Sequence, residues 1–264
     1  MRDSGPLDPE ARERTLEAID AYVAIAQRYE APISVIATSA MRRASDGAAF
    51  AAEIKAHTGS EPLVLNGEEE ARYSFLGATA TLGDGGESAV GVLDVGGGST
   101  EYACDVPSHI RNSLATALSF EIGAVRLAEA VPELLGEYAL DETHRRDVTL
   151  RARAHAASVL ASLGALPRPS TMLAVGGTVV TAGLMLHGHG DGAILTEVDR
   201  STLIDDLLAR TLADRIEMPG IRPQRADILA AGLIIVDEAA LALRCTTLTI
   251  SLNDLLAGYL RATA

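Results

Sequence analysis

Along the first third of the chain the apolar positions alternate between helical and strand spacing. Asp8 and Pro9 supply an N-cap and a proline at the first helical position, and Leu16, Ile19, Val23 and Ala26 follow at helical intervals, so a helix is predicted to about Tyr29. Ile33 to Thr38 is a short β-branched run that predicts a buried strand, and the polar turn at Ser45 and Asp46 starts a helix closed by Gly59. Leu63 to Leu65 predict another strand, after which Asn66-Gly67 turns into GEEEARYSFLGA, a helix whose first turn is acidic, as the helix dipole favours. Helix and strand in alternation predict an α/β layered fold with a largely parallel sheet.

The pattern changes at Asp84-Gly85-Gly86. Val90 to Val95 and Thr100 to Val106 are apolar strands joined by Gly96-Gly97-Gly98-Ser99, a tight glycine-rich turn, and a third strand is expected from about His109 to Leu118. Helices are predicted at Glu121 to Ala130 and Asp141 to Leu163, the second entered through an aspartate cap. Leu173 to Val175 is a strand, and Gly176-Gly177-Thr178 opens a helix to about Leu186. A glycine-rich loop at 188–193, helices at 201–214 and 224–242, a strand at 246–250 and a helix at 254–262 complete the pattern.

Composition narrows the functional classes. With 48% hydrophobic residues the chain can bury a core, and disorder is excluded. Aromatics make up 3% and tryptophan is absent, which disfavours base-stacking and ring-based carbohydrate recognition. Against 36 acidic residues stand 22 basic ones, a net charge of -14 that repels nucleic acid and anionic membranes, so a polyanionic ligand needs a local site. The two cysteines, Cys104 and Cys245, have no metal-ligand spacing and suit a reducing cytoplasm. No secretory signal and no membrane span are predicted.

Four segments carry candidate chemistry. In LDVGGGSTE, residues 93–101, Gly96, Gly97, Gly98 and Ser99 can form a nest of N–H groups for phosphate oxygens, and Asp94 can hold Mg²⁺ directly or through water. In AVGGTVV, residues 174–180, Gly176, Gly177 and Thr178 start a helix whose N-terminus offers N–H groups to an anion. In NGEEEARYSFLGA, Glu68, Glu69 and Glu70 lie about 100° apart around the helix axis, so one at most faces squarely into a site. In ATSAMRRASD, residues 37–46, Arg42 can meet phosphate bidentately; a solvated basic turn is the plain alternative.

Together ATSAMR, NGEEEAR, LDVGGGSTE, SFEIGAVRLAE, AVGGT and RPQRADILAAGLIIV resemble the exopolyphosphatase and guanosine pentaphosphatase (Ppx/GppA) family in order and spacing, from about residue 30 onward. The resemblance implies the two-lobed, ribonuclease H-like fold of actin, heat-shock chaperone ATPases and sugar kinases. It implies Glu70 as the general base that orients the attacking water, Glu101 as a second catalytic acid and Asp94 as the Mg²⁺-linked aspartate. Gly96 to Ser99 would cradle the terminal phosphate, Gly176, Gly177 and Thr178 the preceding one, and Arg42 would neutralise charge. The implied reaction is release of orthophosphate from inorganic polyphosphate or guanosine pentaphosphate by Mg²⁺-assisted attack of water.

Members of that family normally begin with a strand and hairpin carrying an Asp-Ile-Gly-Thr/Ser-Asn-Ser loop, and this sequence starts at the helix that follows. The expectation is a short form with a first lobe, 1–78, incomplete at its N-terminus, a second lobe, 79–253, and a final helix, 254–264, returning to the first. Two other readings stay open: a catalytically degenerate phosphate- or nucleotide-binding remnant, and a sugar or acetate kinase relative, against which the EEEA carboxylates speak. The sequence also leaves a homodimer open.

Overall fold

The computed structural model describes residues 5–82, 88–106 and 114–263. The expected turn at Asp84-Gly85-Gly86 and the start of the third strand at His109 lie outside the described residues. The chain forms two compact units, one ending at Gly67 and one starting at Glu68.

The first unit contains α1 (Pro9–Arg28), β1 (Ile36–Ala37), α2 (Ser39–Arg43), α3 (Gly47–Thr58) and β2 (Leu63–Val64), with β1 and β2 paired in parallel. The Asp8 carboxylate caps α1 by accepting from the Ala11 amide at 2.8 Å. Arg12 ties α1 to α3, donating to Asp46 at 2.8 Å and to Glu53 at 2.6 Å while its guanidinium lies over the Phe50 ring. Strand β1 is shorter than the Ile33 to Thr38 run predicts: only Ile36 and Ala37 pair with the short β2, and Ser39 already begins α2.

The second unit runs α4 (Gly67–Ala78), β3 (Val90–Val95), β4 (Thr100–Asp105), β5 (Leu114–Phe120), α5 (Ala124–Ala130), α6 (Glu142–Leu160), β6 (Thr171–Val175), α7 (Gly177–His187), β7 (Ile194–Thr196), α8 (Glu197–Leu208), α9 (Leu212–Ile216), α10 (Leu229–Ala242), β8 (Thr247–Ile250) and α11 (Leu255–Thr263). Its six strands are ordered β5-β4-β3-β6-β8-β7. The β3–β6 and β6–β8 pairs are parallel, whereas the glycine hairpin and the edge strand β7 make the remaining pairs antiparallel, so the sheet is mixed rather than largely parallel. The segment expected as one helix over 201–214 is two, each entered through a capping box: Thr196 with Asp199, and Thr211 with Asp214.

The two-residue period of the central strands sorts their side chains between two cores. Leu93, Val95, Tyr102, Cys104, Met172 and Ala174 face the larger core with α5, α6, α7, α8 and α10. Val90, Val92, Ala103, Leu173 and Val175 face the smaller one, filled by Ala71, Phe75 and Ala78 of α4. Against the same helix packs α11: a Cβ on Gly258 would fall 1.8 Å from the Tyr73 carbonyl oxygen, and one on Gly77 2.0 Å from that of Asp254. Tyr73 and Tyr259 add an edge-to-face contact. This packing places α4 and α11 with the six-stranded sheet, so the compact units divide after Gly67 and not at the boundary expected near Ala78. Among the described residues no helix is long and apolar enough to cross a membrane.

Candidate active site

The parity that fills the smaller core also gathers the carboxylates. Asp94 follows Val90 and Val92 in strand phase, Glu101 precedes Ala103 in the same phase, and Asp94 and Glu101 are register partners across the hairpin. Both therefore project from the sheet face covered by α4. On α4 the buried positions are Glu70, Ala71, Ser74, Phe75, Gly77 and Ala78, a helical stripe that turns Glu70 inward and leaves Glu68 exposed. Of the three consecutive glutamates it is Glu70, 4% exposed, that faces the sheet.

Each strand carboxylate is held by a serine. The Ser74 hydroxyl donates to Asp94 Oδ2 at 2.6 Å, and the Ser119 hydroxyl on β5 donates to Glu101 Oε1 at 2.7 Å. Burial pushes the Glu101 carboxyl up to about 8; hydrogen bonds from Ser119 and Ser99 oppose the rise, while the charges of Asp94 and Glu70 add to it. Burial also raises Asp94, against the Ser74 hydrogen bond and with a further push from Asp254. Glu70, Asp94 and Glu101 thus form one electrostatically coupled group.

The glycine turn lies directly beyond Asp94. Gly96 N–H donates to the Ser99 carbonyl at 3.0 Å, and the carbonyls of Gly96 and Gly97 accept from Ala124 and Val125 in the first turn of α5 at 2.9 and 3.0 Å. The N–H groups of Gly97 and Gly98 have no acceptor among the described residues. The arrangement depends on Gly123, where a Cβ would lie 2.4 Å from the Gly97 carbonyl carbon and oxygen and 2.6 Å from the Gly98 nitrogen. Gly176 brings the second loop alongside: its φ is +92°, and a Cβ there would sit 2.9 Å from Asp94 Oδ1. Gly177 opens α7, and Thr178 packs its side chain against Gly232 of α10.

Arg225 was not distinguished by sequence reasoning, although it stands in the RPQRAD segment. A Cβ on Gly177 would fall 2.1 Å from its guanidinium carbon, so the cation lies on the first residue of α7. Among the described residues its side chain has no hydrogen-bond or ion-pair partner. Ser74, Ser119 and Gly123 also escaped the sequence reading. Arg42 belongs to the first unit, where its guanidinium donates to the Leu65 carbonyl at 2.5 Å.

Mg²⁺ coordination normally combines one or two carboxylates with phosphate oxygens and water. Among the described residues no three His, Cys, Asp or Glu side chains are set to enclose a metal by themselves. Asp94 with Glu101 nearby, beside the glycine turn, is a donor set that fits such a partly substrate-held ion.

A glycine hairpin and a second glycine loop thus meet on one carboxylate-bearing face of a mixed sheet, in an α/β fold. Its sequence matches the model of the Ppx/GppA phosphatase family over residues 1–261, and the chain belongs to that family. It is 31% identical over 276 aligned positions to exopolyphosphatase 2 of Mycobacterium tuberculosis, covering 97% of this chain and 82% of that protein. Among solved structures, an exopolyphosphatase-like protein superposes with a TM-score of 0.84 at 25% identity, covering 98% of this chain and 85% of the other. An exopolyphosphatase from Cytophaga hutchinsonii superposes at 0.83 and 22% identity, covering 98% and 83%.

Proposed function

We propose that the protein removes the terminal phosphate of short inorganic polyphosphates or of guanosine pentaphosphate by attack of water. The observation that carries this reading is the convergence of buried Glu70 with Asp94 and Glu101 beside N–H groups of Gly97 and Gly98 that have no acceptor among the described residues. Phosphoryl transfer asks little covalent chemistry of a protein; it asks for positioning, charge neutralisation and an in-line water. In this reading Glu70 orients the water and takes its proton. Gly96 to Ser99 hold the terminal phosphate, and the start of α7 at Gly176, Gly177 and Thr178, with Arg225 against it, holds the preceding one. Asp94, with Glu101, would hold Mg²⁺, which when bound neutralises phosphate charge.

Family membership and the exopolyphosphatase relatives support polyphosphate as substrate. The net charge of -14 favours a short chain or a nucleotide over a long polyanion lying along the surface. The test is orthophosphate release from tripolyphosphate, longer polyphosphate and guanosine pentaphosphate with and without Mg²⁺, run beside Glu70→Gln. Anion binding with no turnover on any of the three would replace hydrolysis with a binding-only role, and turnover unchanged in Glu70→Gln would remove Glu70 from the mechanism.

A further inference from the structure

A serine in the middle of a helix commonly returns its hydroxyl to the carbonyl four residues earlier. Ser74 does not: 1% exposed on the inward face of α4, it reaches out of its helix to donate to Asp94 Oδ2 at 2.6 Å. The other oxygen of Asp94 lies against Gly176, where a Cβ would come within 2.9 Å of it. One oxygen of the carboxylate is therefore held by α4, while the other lies close to the second glycine loop. Glu70 and Ser74 are one helical turn apart on the same face, so this hydrogen bond also sets where the turn carrying Glu70 stands relative to β3.

We propose that Ser74 is a positioning residue of the hydrolytic site, holding the Asp94 carboxylate in one orientation and holding the Glu70 turn of α4 in register with it. The inference rests on the hydrolytic reading of Glu70 and Asp94. Removing the hydroxyl frees Asp94 to rotate about its side-chain bonds, which disturbs the step that needs aligned groups more than it disturbs capture of phosphate by backbone N–H groups. Loss of a group that orients such a ligand typically costs about 10- to 100-fold.

Ser74→Ala and Ser74→Thr are to be compared with the wild type in three measurements: steady-state orthophosphate release from tripolyphosphate with varied Mg²⁺, calorimetric titration of Mg²⁺ in the presence of a non-hydrolysable diphosphonate, and a crystal structure of Ser74→Ala. The expected result is a kcat lower by about 10- to 100-fold in Ser74→Ala with KM near the wild-type value. Weaker calorimetric Mg²⁺ binding and an Asp94 side chain in a changed rotamer should accompany it, and Ser74→Thr, which keeps a hydroxyl, should recover most of the kcat. A purely structural serine would lower the melting temperature while leaving kcat per folded molecule and the Mg²⁺ affinity unchanged, and that outcome overturns the proposal. Should the wild type prove inactive on every phosphoanhydride, the hydrolytic reading fails on its own account. The crystal structure then decides the positional part: an Asp94 unmoved in Ser74→Ala overturns it, and a displaced one supports it.

Discussion

Gly123→Ala adds a single methyl group at a distance from any reacting atom, and the structure allows its effect to be worked through. The backbone at Gly123 is extended, with φ -149° and ψ 173°, so alanine meets no conformational penalty there and the consequence is steric alone. The new Cβ would lie 2.4 Å from the Gly97 carbonyl carbon and oxygen, where ordinary contact begins at 3.4 Å, so the Gly97–Gly98 peptide must withdraw by about 1 Å. Those residues carry the N–H groups assigned to the terminal phosphate, and a 1 Å misplacement of a positioning group can cost about 100-fold in rate. Overpacking of this kind typically destabilises by about 1–3 kcal/mol, which leaves a domain of this size folded at assay temperature. The assay is the initial rate of orthophosphate release from tripolyphosphate with Mg²⁺. Gly164→Ala serves as the control, because a Cβ on Gly164 meets nothing within 4 Å. A fall in kcat/KM of about 100-fold in Gly123→Ala, with Gly164→Ala at the wild-type rate, is expected. Wild-type kcat/KM in Gly123→Ala would refute the placement of phosphate on this turn.

Glu70→Gln removes the base at constant shape and should lower kcat by about 10² to 10⁴-fold while tripolyphosphate binding, followed by calorimetry, stays near wild type; loss of binding instead would make Glu70 a ligand and not a base. Glu101, raised from an ordinary 4.5 to about 8, keeps its proton in the folded protein after the unfolded chain has lost it, so its contribution to stability is complete below about pH 4.5 and declines as pH rises toward 8. The melting temperature of the metal-free protein should accordingly fall over that range, and Glu101→Gln should flatten the fall; equal slopes would show that Glu101 is not the titrating group. Arg225→Ala should weaken tripolyphosphate binding about tenfold or more, the scale of a hydrogen bond to a charged group, and an unchanged affinity would place the substrate away from α7.

The sequence makes the local devices of this fold readable and hides the long-range ones. Asp8 capping α1, Asp141 capping α6 and the glycine stops after α3 and α7 follow from single residues and their neighbours, and each stands where chain chemistry predicts it. The hairpin around Gly96 to Ser99 was legible for the same reason. Strand β7 was missed because its three residues carry too little pattern and its pairing with β8 is settled by the far end of the chain. In the candidate site, helix geometry narrows the glutamate run to one inward residue at most, the family resemblance points to Glu70, and the packing of Ala71, Phe75 and Ala78 gives the physical reason that Glu70 is the buried one. Ser74, Ser119, Gly123 and Arg225 act across 20, 18, 26 and 48 positions of chain, on Asp94, Glu101, Gly97 and Gly177 respectively, and no local signal marks such partnerships.

The close crossing of α4 and α11 bears on the order in which this protein is made. The helix that carries Glu70 leaves the ribosome early, yet the backbone it rests on at Gly258 is synthesised much later; Arg261 and Ala80, which also bond across this crossing at 2.9 Å, are 181 positions apart. At about 5–20 residues per second that interval is on the order of ten to forty seconds. Through it the nascent chain has a half-supported α4, and the turn carrying Glu70 cannot acquire its final geometry until α11 has emerged and docked. The final placement of Glu70 is then a property that arrives with the C-terminal helix, and a chain shortened ahead of Gly258 would retain both glycine loops while the helix bearing its proposed base lacked its backing.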